Sequence, residues 1–97
     1  MDPVASFTFD SFQATVGEGF RLPQEQLELE LVSATYVGSG ADTRPGGAFT
    51  LLFRGPGNPA LTQGTRSVSH HELGDFALFL VPVADGAGHR DYEAVFA

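Results

Sequence analysis

From Gln26 to Leu31 apolar and polar side chains alternate without exception, and this run constrains the fold more than any other part of the chain. A period of two places Leu27, Leu29 and Leu31 on one side of a β-strand and Gln26, Glu28 and Glu30 on the other, so the strand has one dry face and one wet face. At Leu31-Val32 the alternation slips, and Val32, Ala34 and Tyr36 take over the opposite parity. A bulge or sharp bend re-aims side chains in this way, and a curved or barrel-like sheet needs such a feature.

The strand signals continue on either side. Alternation begins at Gly19 and returns in Ala48 to Arg54, in Gly64 to His70, where Arg66, Val68 and His70 share one parity, and in His89 to Phe96. Gly38 to Gly47 and Gly55-Pro56-Gly57-Asn58-Pro59 are rich in turn formers and read as loops, and Ala84 to Gly88 reads as a further turn. Only the beginning of the chain has helical spacing. Phe9, Phe12 and Val16 recur at three and four, with Thr8 and Asp10 as N-cap candidates and Gly17 as a stop, which predicts one short helix over Asp10 to Val16 that plugs one end of a sheet. Short strands joined by Gly/Pro turns at intervals of roughly ten residues predict a mainly β fold: a single six-stranded antiparallel barrel or sandwich with one short N-terminal helix.

Size makes the core demanding. The 97 residues suffice for one domain, spanning residues 1–97, and not for two cores. A domain this small buries about two-thirds of its unfolded surface, and without cysteine it gains nothing from disulfides, so the nine Phe residues must supply the buried area. All five basic residues are Arg, and they are scattered at Arg21, Arg44, Arg54, Arg66 and Arg90 against twelve carboxylates, for a net charge of −7. Phosphate binding needs clustered cations, so nucleic acid and anionic lipid surfaces are not expected partners. Met1-Asp2-Pro3 opens neither a basic nor an apolar leader, and no apolar run approaches the roughly 20 residues of a membrane span, so the expected compartment is the cytoplasm, with export by a non-classical or tail-like system as the alternative.

One strand breaks the alternation. Phe76 to Val83 carries no charged or polar side chain on either parity, so both of its faces want cover. Two covers are open: the N-terminal helix with Phe7 and Phe9, or a subunit or partner interface, since bare apolar surface beyond a few hundred Å² is uncommon on a monomer. Phe76, Leu78, Phe79, Leu80, Val81, Pro82 and Val83 are the interface candidates. Pro82 lacks an N–H and so marks an edge, or the point where this strand leaves the sheet.

Catalytic chemistry is thinly represented. His70-His71-Glu72 with Asp75, and His89 with Asp91, have metal-ligand residue types, yet neighbouring histidines on a strand face opposite sides and serve one ion only if the strand has ended there. They read as exposed turn residues, and neither metal nor cofactor is expected. Ser67, Ser69 and His70 lack the strained elbow of a nucleophile, and Glu28 with Glu30 reads as a solvated strand face. The expectation is a protein that is not an enzyme. A second reading is a small-ligand-binding β-barrel with Phe49, Phe53, Phe79 and Tyr92 lining its cavity.

The blocks Phe53-Arg54-Gly55-Pro56, Leu61-Thr62-Gln63-Gly64-Thr65, His70, Leu73-Gly74, Phe79-Leu80-Val81-Pro82-Val83 and Tyr92-Glu93-Ala94-Val95-Phe96 resemble the bacterial family domain of unknown function 6916, as does the Thr8 to Gly17 opening with Phe12 and Val16-Gly17. Arg66 stands where that pattern leads one to expect an aromatic such as Tyr. The resemblance implies an uncharacterised small β domain with no assigned catalytic residues. Members near genes for phage-tail-collar-like proteins imply a structural or assembly role. The expected function is thus a non-enzymatic structural or interaction module, self-associating as a homo-oligomer or docking on a larger filamentous or phage-tail-like assembly.

Overall fold

The computed structural model of the chain describes residues 7–38, 47–58 and 60–96, so most of the loop expected over Gly38 to Gly47 lies outside the described residues. The chain opens with helix α1 (Phe9–Gln13). Thr8 caps it: its Oγ1 accepts the Ser11 N–H at 3.4 Å, and Ser11 Oγ accepts the Thr8 N–H at 3.2 Å, a reciprocal pair that satisfies two otherwise free donors. The helix is shorter than its apolar spacing predicts because Thr15 turns back on Phe12, donating both its N–H (2.9 Å) and its hydroxyl (2.8 Å) to the Phe12 carbonyl. Gly17, at φ +92°, then redirects the chain.

Six strands follow: β1 (Gly19–Leu22), β2 (Leu27–Gly38), β3 (Ala48–Pro56), β4 (Gly64–His70), β5 (Gly74–Gly86) and β6 (His89–Phe96). All pairings are antiparallel, and the order β1-β2-β3-β6-β5-β4 closes into a barrel. Closure removes free sheet edges, which a sandwich of so few strands would leave. The slip read at Leu31-Val32 is a bulge: Leu31 pairs with Phe53 and Ser33 with Leu52, so Val32 is the extra residue and Ala34, opposite Leu51, takes over the inward parity. The seam is slight, with the single register pair Arg21–Ser69 joining β1 to β4.

Inward side chains from every strand meet in one core. Phe20, Leu22, Leu29, Leu31, Phe49, Leu51, Phe53, Leu80 and Tyr92 are all at most 1% exposed. Each such side chain contributes about 1.5–3 kcal/mol relative to leaving it in water. The helix plugs one mouth as predicted: Phe12 is fully buried and its ring lies 5.3 Å from Phe96, 5.8 Å from Phe49 and 6.0 Å from Phe76. Four residues back along β6, Tyr92 receives a second plug, because the Leu61 N–H donates to its hydroxyl at 2.8 Å and the Leu61 side chain is buried. Arg66 extends from the inward parity of β4 to Glu25 in the β1–β2 turn (2.9 Å) and to the Thr62 carbonyl (2.6 Å), which gives a cation on that row its partners.

Candidate functional site

The strand that breaks the sequence pattern is β5, and the structure divides its candidates. Phe76, Leu78 and Leu80 point inward and are 6%, 4% and 0% exposed, so they are core and not interface. Phe79 and Val83 are half-exposed at 51% and 49%, with Val81 and Pro82 partly covered between them. Among the described residues, the N-terminal segment does not cover this outer row. Phe7 packs edge-on against Phe12 (5.4 Å) and Phe76 (5.1 Å), and Phe9 against Tyr36 and Phe49, all at the mouth of the barrel. Of the two covers expected for β5, the N-terminal helix with Phe7 and Phe9 is therefore corrected: among the described residues one side of the strand is core and the other is left open, because Phe7 and Phe9 pack at the barrel end.

The register explains the shape of that outer face. Residues Gly74 to Leu80 of β5 pair with β4, and residues Val81 to Gly86 pair with β6. Pro82 falls after the last β4 partner and just before an irregularity in the pairing with β6, which is the position its missing N–H predicts. On β4, Thr65, Ser67 and Ser69 stand opposite Phe79, Ala77 and Asp75, while on β6 Glu93 stands opposite Val81. Small hydroxyl side chains on β4 thus neighbour Phe79, which stays half-exposed.

The four residues expected to line a ligand cavity do not share one. Phe49, Phe53 and Tyr92 are interior and already packed: Phe49 stacks on Phe96 at 4.6 Å, Phe53 meets Phe20 at 5.3 Å, and Tyr92 holds Leu61. Phe79 lies on the other side of the sheet wall. An open hollow of about 570 Å³ occurs instead at the strand tips, lined by Pro56, Asn58, Asp85, His89 and Arg90 among others, and there Arg90 is held by Asp85 at 2.6 Å.

The histidines come together more closely than their strand parity suggests. Because β4 ends at His70, His71 lies in the following turn and can swing to the same side, and both rings reach one oxygen of Glu18, His70 Nε2 at 2.8 Å and His71 Nε2 at 3.1 Å. Glu18 is 52 residues from His70, and no local signal marks it; only the β1–β4 seam brings the two together. Glu72 and Asp75, the sequence neighbours singled out beforehand, are not the shared acceptor.

Ligand atoms of Glu18, His70 and His71 lie within 4.8 Å of one another, a spacing a metal ion could bridge. The hydrogen bonds assign a different role. His70 Nδ1 accepts two backbone N–H groups, from Glu72 and Leu73, each at 3.1 Å, so the ring proton sits on Nε2 and points at the carboxylate. A metal on Nε2 would require a proton on Nδ1, facing two donors, whereas a ligating imidazole normally offers that N–H to an acceptor. The trio is a carboxylate clasp across the barrel seam, with His70 buried and stacked on Phe20 at 4.4 Å. The His70 hydrogen bond holds the Glu18 carboxyl below its ordinary range, helped by His71 and opposed by partial desolvation. Asp91 is similarly committed: Arg54, directly opposite on β3, grips it at 2.8 and 3.2 Å and lowers its pKa, against desolvation. Ser67 and Ser69 face outward while His70 faces inward, so strand geometry separates hydroxyl from imidazole.

No curated protein and no solved structure matches the chain significantly. The family described as Domain of unknown function (DUF6916) matches residues 7–96, from the Phe7 ring beside the helix plug to Phe96 at the end of β6, and the chain belongs to that family.

Proposed function

We propose that this domain is a non-enzymatic interaction module that seats the outer row of β5 against another protein surface, in the setting of a larger filamentous or tail-like assembly. One observation carries the reading: Phe79 stands half-exposed on a strand whose outer side chains from Phe76 to Val83 are all apolar, and the chain's own aromatic segment is spent elsewhere. Large aromatic side chains in this position are the usual anchors of protein contacts. The polar groups suited to acid–base work support the same reading, since His70, Glu18, Asp91 and Arg54 are engaged in bonds that hold the barrel together.

The test is a photo-crosslinking phenylalanine analogue at position 79 in the native host, with the same analogue at position 28 on the far outer face as control. A discrete adduct from position 79 and none from position 28 is the expected result. Equal adducts from both positions, or none from either, would end the proposal.

A further inference from the structure

Resting on the contact reading of β5, we infer that the occupant of this face is an extended, apolar and cationic segment of another protein, and not a second copy of this domain. The outward row of β5 runs Asp75, Ala77, Phe79, Val81, so an apolar stretch has a carboxylate at its start. A second carboxylate, Glu93, stands beside its end, opposite Val81. The seven residues from Asp75 to Val81 span about 20 Å of extended chain.

Three of the four described arginines are engaged elsewhere: Arg54 is paired with Asp91 at 2.8 Å, Arg66 with Glu25 at 2.9 Å and Arg90 with Asp85 at 2.6 Å. Arg21 stands between Glu28 on β2 and Ser69 on β4, and Ser69 in turn faces Asp75, so this arginine lies one strand from the Asp75 end of the row. Glu93 stands opposite Leu52 and Val81 with no arginine in register, so the charge left to a visitor at that end is negative. An apolar centre with acidic ends fits a strand-like segment of about seven residues that carries apolar side chains at its middle outward positions and Arg or Lys at its ends.

A second copy fits poorly, because a two-fold, antiparallel stacking of β5 on β5 would set Asp75 of one molecule over Glu93 of the other, between chains that each carry a net charge of −7.

The experiment is an amide-NMR titration of the full chain with the peptide Arg-Ser-Val-Ser-Phe-Ser-Arg, and with the same peptide carrying Glu in place of both Arg. The expected result is saturable shifts confined to Ala77, Phe79, Val81 and Glu93, with binding weakened about tenfold by Phe79→Ser, severalfold by Glu93→Gln, and abolished in the acidic peptide. Phe79 is half-exposed, so the Phe79→Ser chain should keep the native amide spectrum elsewhere, and its dispersion verifies folding before the titration. Absence of shifts, equal binding of the acidic peptide, or shifts spread equally over Asp10, Glu28 and Glu30 would each overturn the assignment. Light scattering without peptide separates the two levels: a dimer that Phe79→Ser dissolves would leave the contact reading standing and remove the cationic partner, whereas a silent crosslinker at position 79 would remove both.

Discussion

Phe76, Leu78 and Leu80 point into the barrel and lose nearly all of their water, while Ala77, Phe79 and Val81, interleaved with them on the same strand, point outward and keep much of theirs. Composition does not separate the two rows. What separates them is whether another part of the chain arrives to cover them, and the only spare aromatic segment, Phe7 to Phe12, goes to the barrel mouth. Apolar character thus states a demand for cover, and among the described residues the fold meets it on one side of β5 alone.

Mutations on the two rows break or sharpen this contrast. Leu80→Ala removes a fully buried side chain and should cost about 2–5 kcal/mol in urea unfolding. Next comes Gly55→Ala: Gly55 is buried on β3, where an added Cβ would collide with Leu29 Cδ2, and overpacking there should cost about 1–3 kcal/mol by the same measurement. Phe79→Ser should change stability by less than about 0.5 kcal/mol. A loss at Phe79 as large as that at Leu80 would mean that the outer row is covered within the chain after all.

The clasp sharpens the comparison through pH. Glu18 has a lowered pKa in the folded state, so its contribution is present above its ordinary value of 4.5 and is lost as pH falls through the folded value. Glu18→Gln should therefore unfold at a lower temperature than the native chain at neutral pH, with the gap closing as both are titrated below 4.5. A gap that persists at full strength in acid would show that the carboxylate charge is not its source. The smallest effect belongs to zinc: because the His70 proton occupies Nε2, a molar excess of zinc should leave the melting temperature of the native chain unchanged, and a clear rise would reassign the trio as a ligand set.

Much of the fold was legible where local pattern and three-dimensional consequence coincide. The alternation of Leu27, Leu29 and Leu31 marked β2, and its slip marked the bulge at Val32, since a change of parity has few other causes. Thr8 and Phe12 marked a capped plug, though not its length, because the Thr15-to-Phe12 bonds that end α1 early leave the apolar spacing intact. Pro82 marked the place where β5 parts from β4. The candidate site was half legible. Phe79, Val81 and Val83 were named, but Phe76, Leu78 and Leu80 were named with them, since an all-apolar strand does not declare which parity faces in. The Glu18 clasp and the Arg54–Asp91 pair were missed, because each depends on a register between distant strands.

The sequence by itself determined which segments are strands, where the sheet must bend, and that the domain needs an aromatic core, because these follow from side-chain period and from the small size of the chain. Tertiary structure alone decided the order β1-β2-β3-β6-β5-β4, which side of β5 stays wet, and which carboxylate the histidines share. The reason is physical: periodicity acts over a few residues, whereas closing a barrel brings together strands whose separation along the chain leaves no local trace.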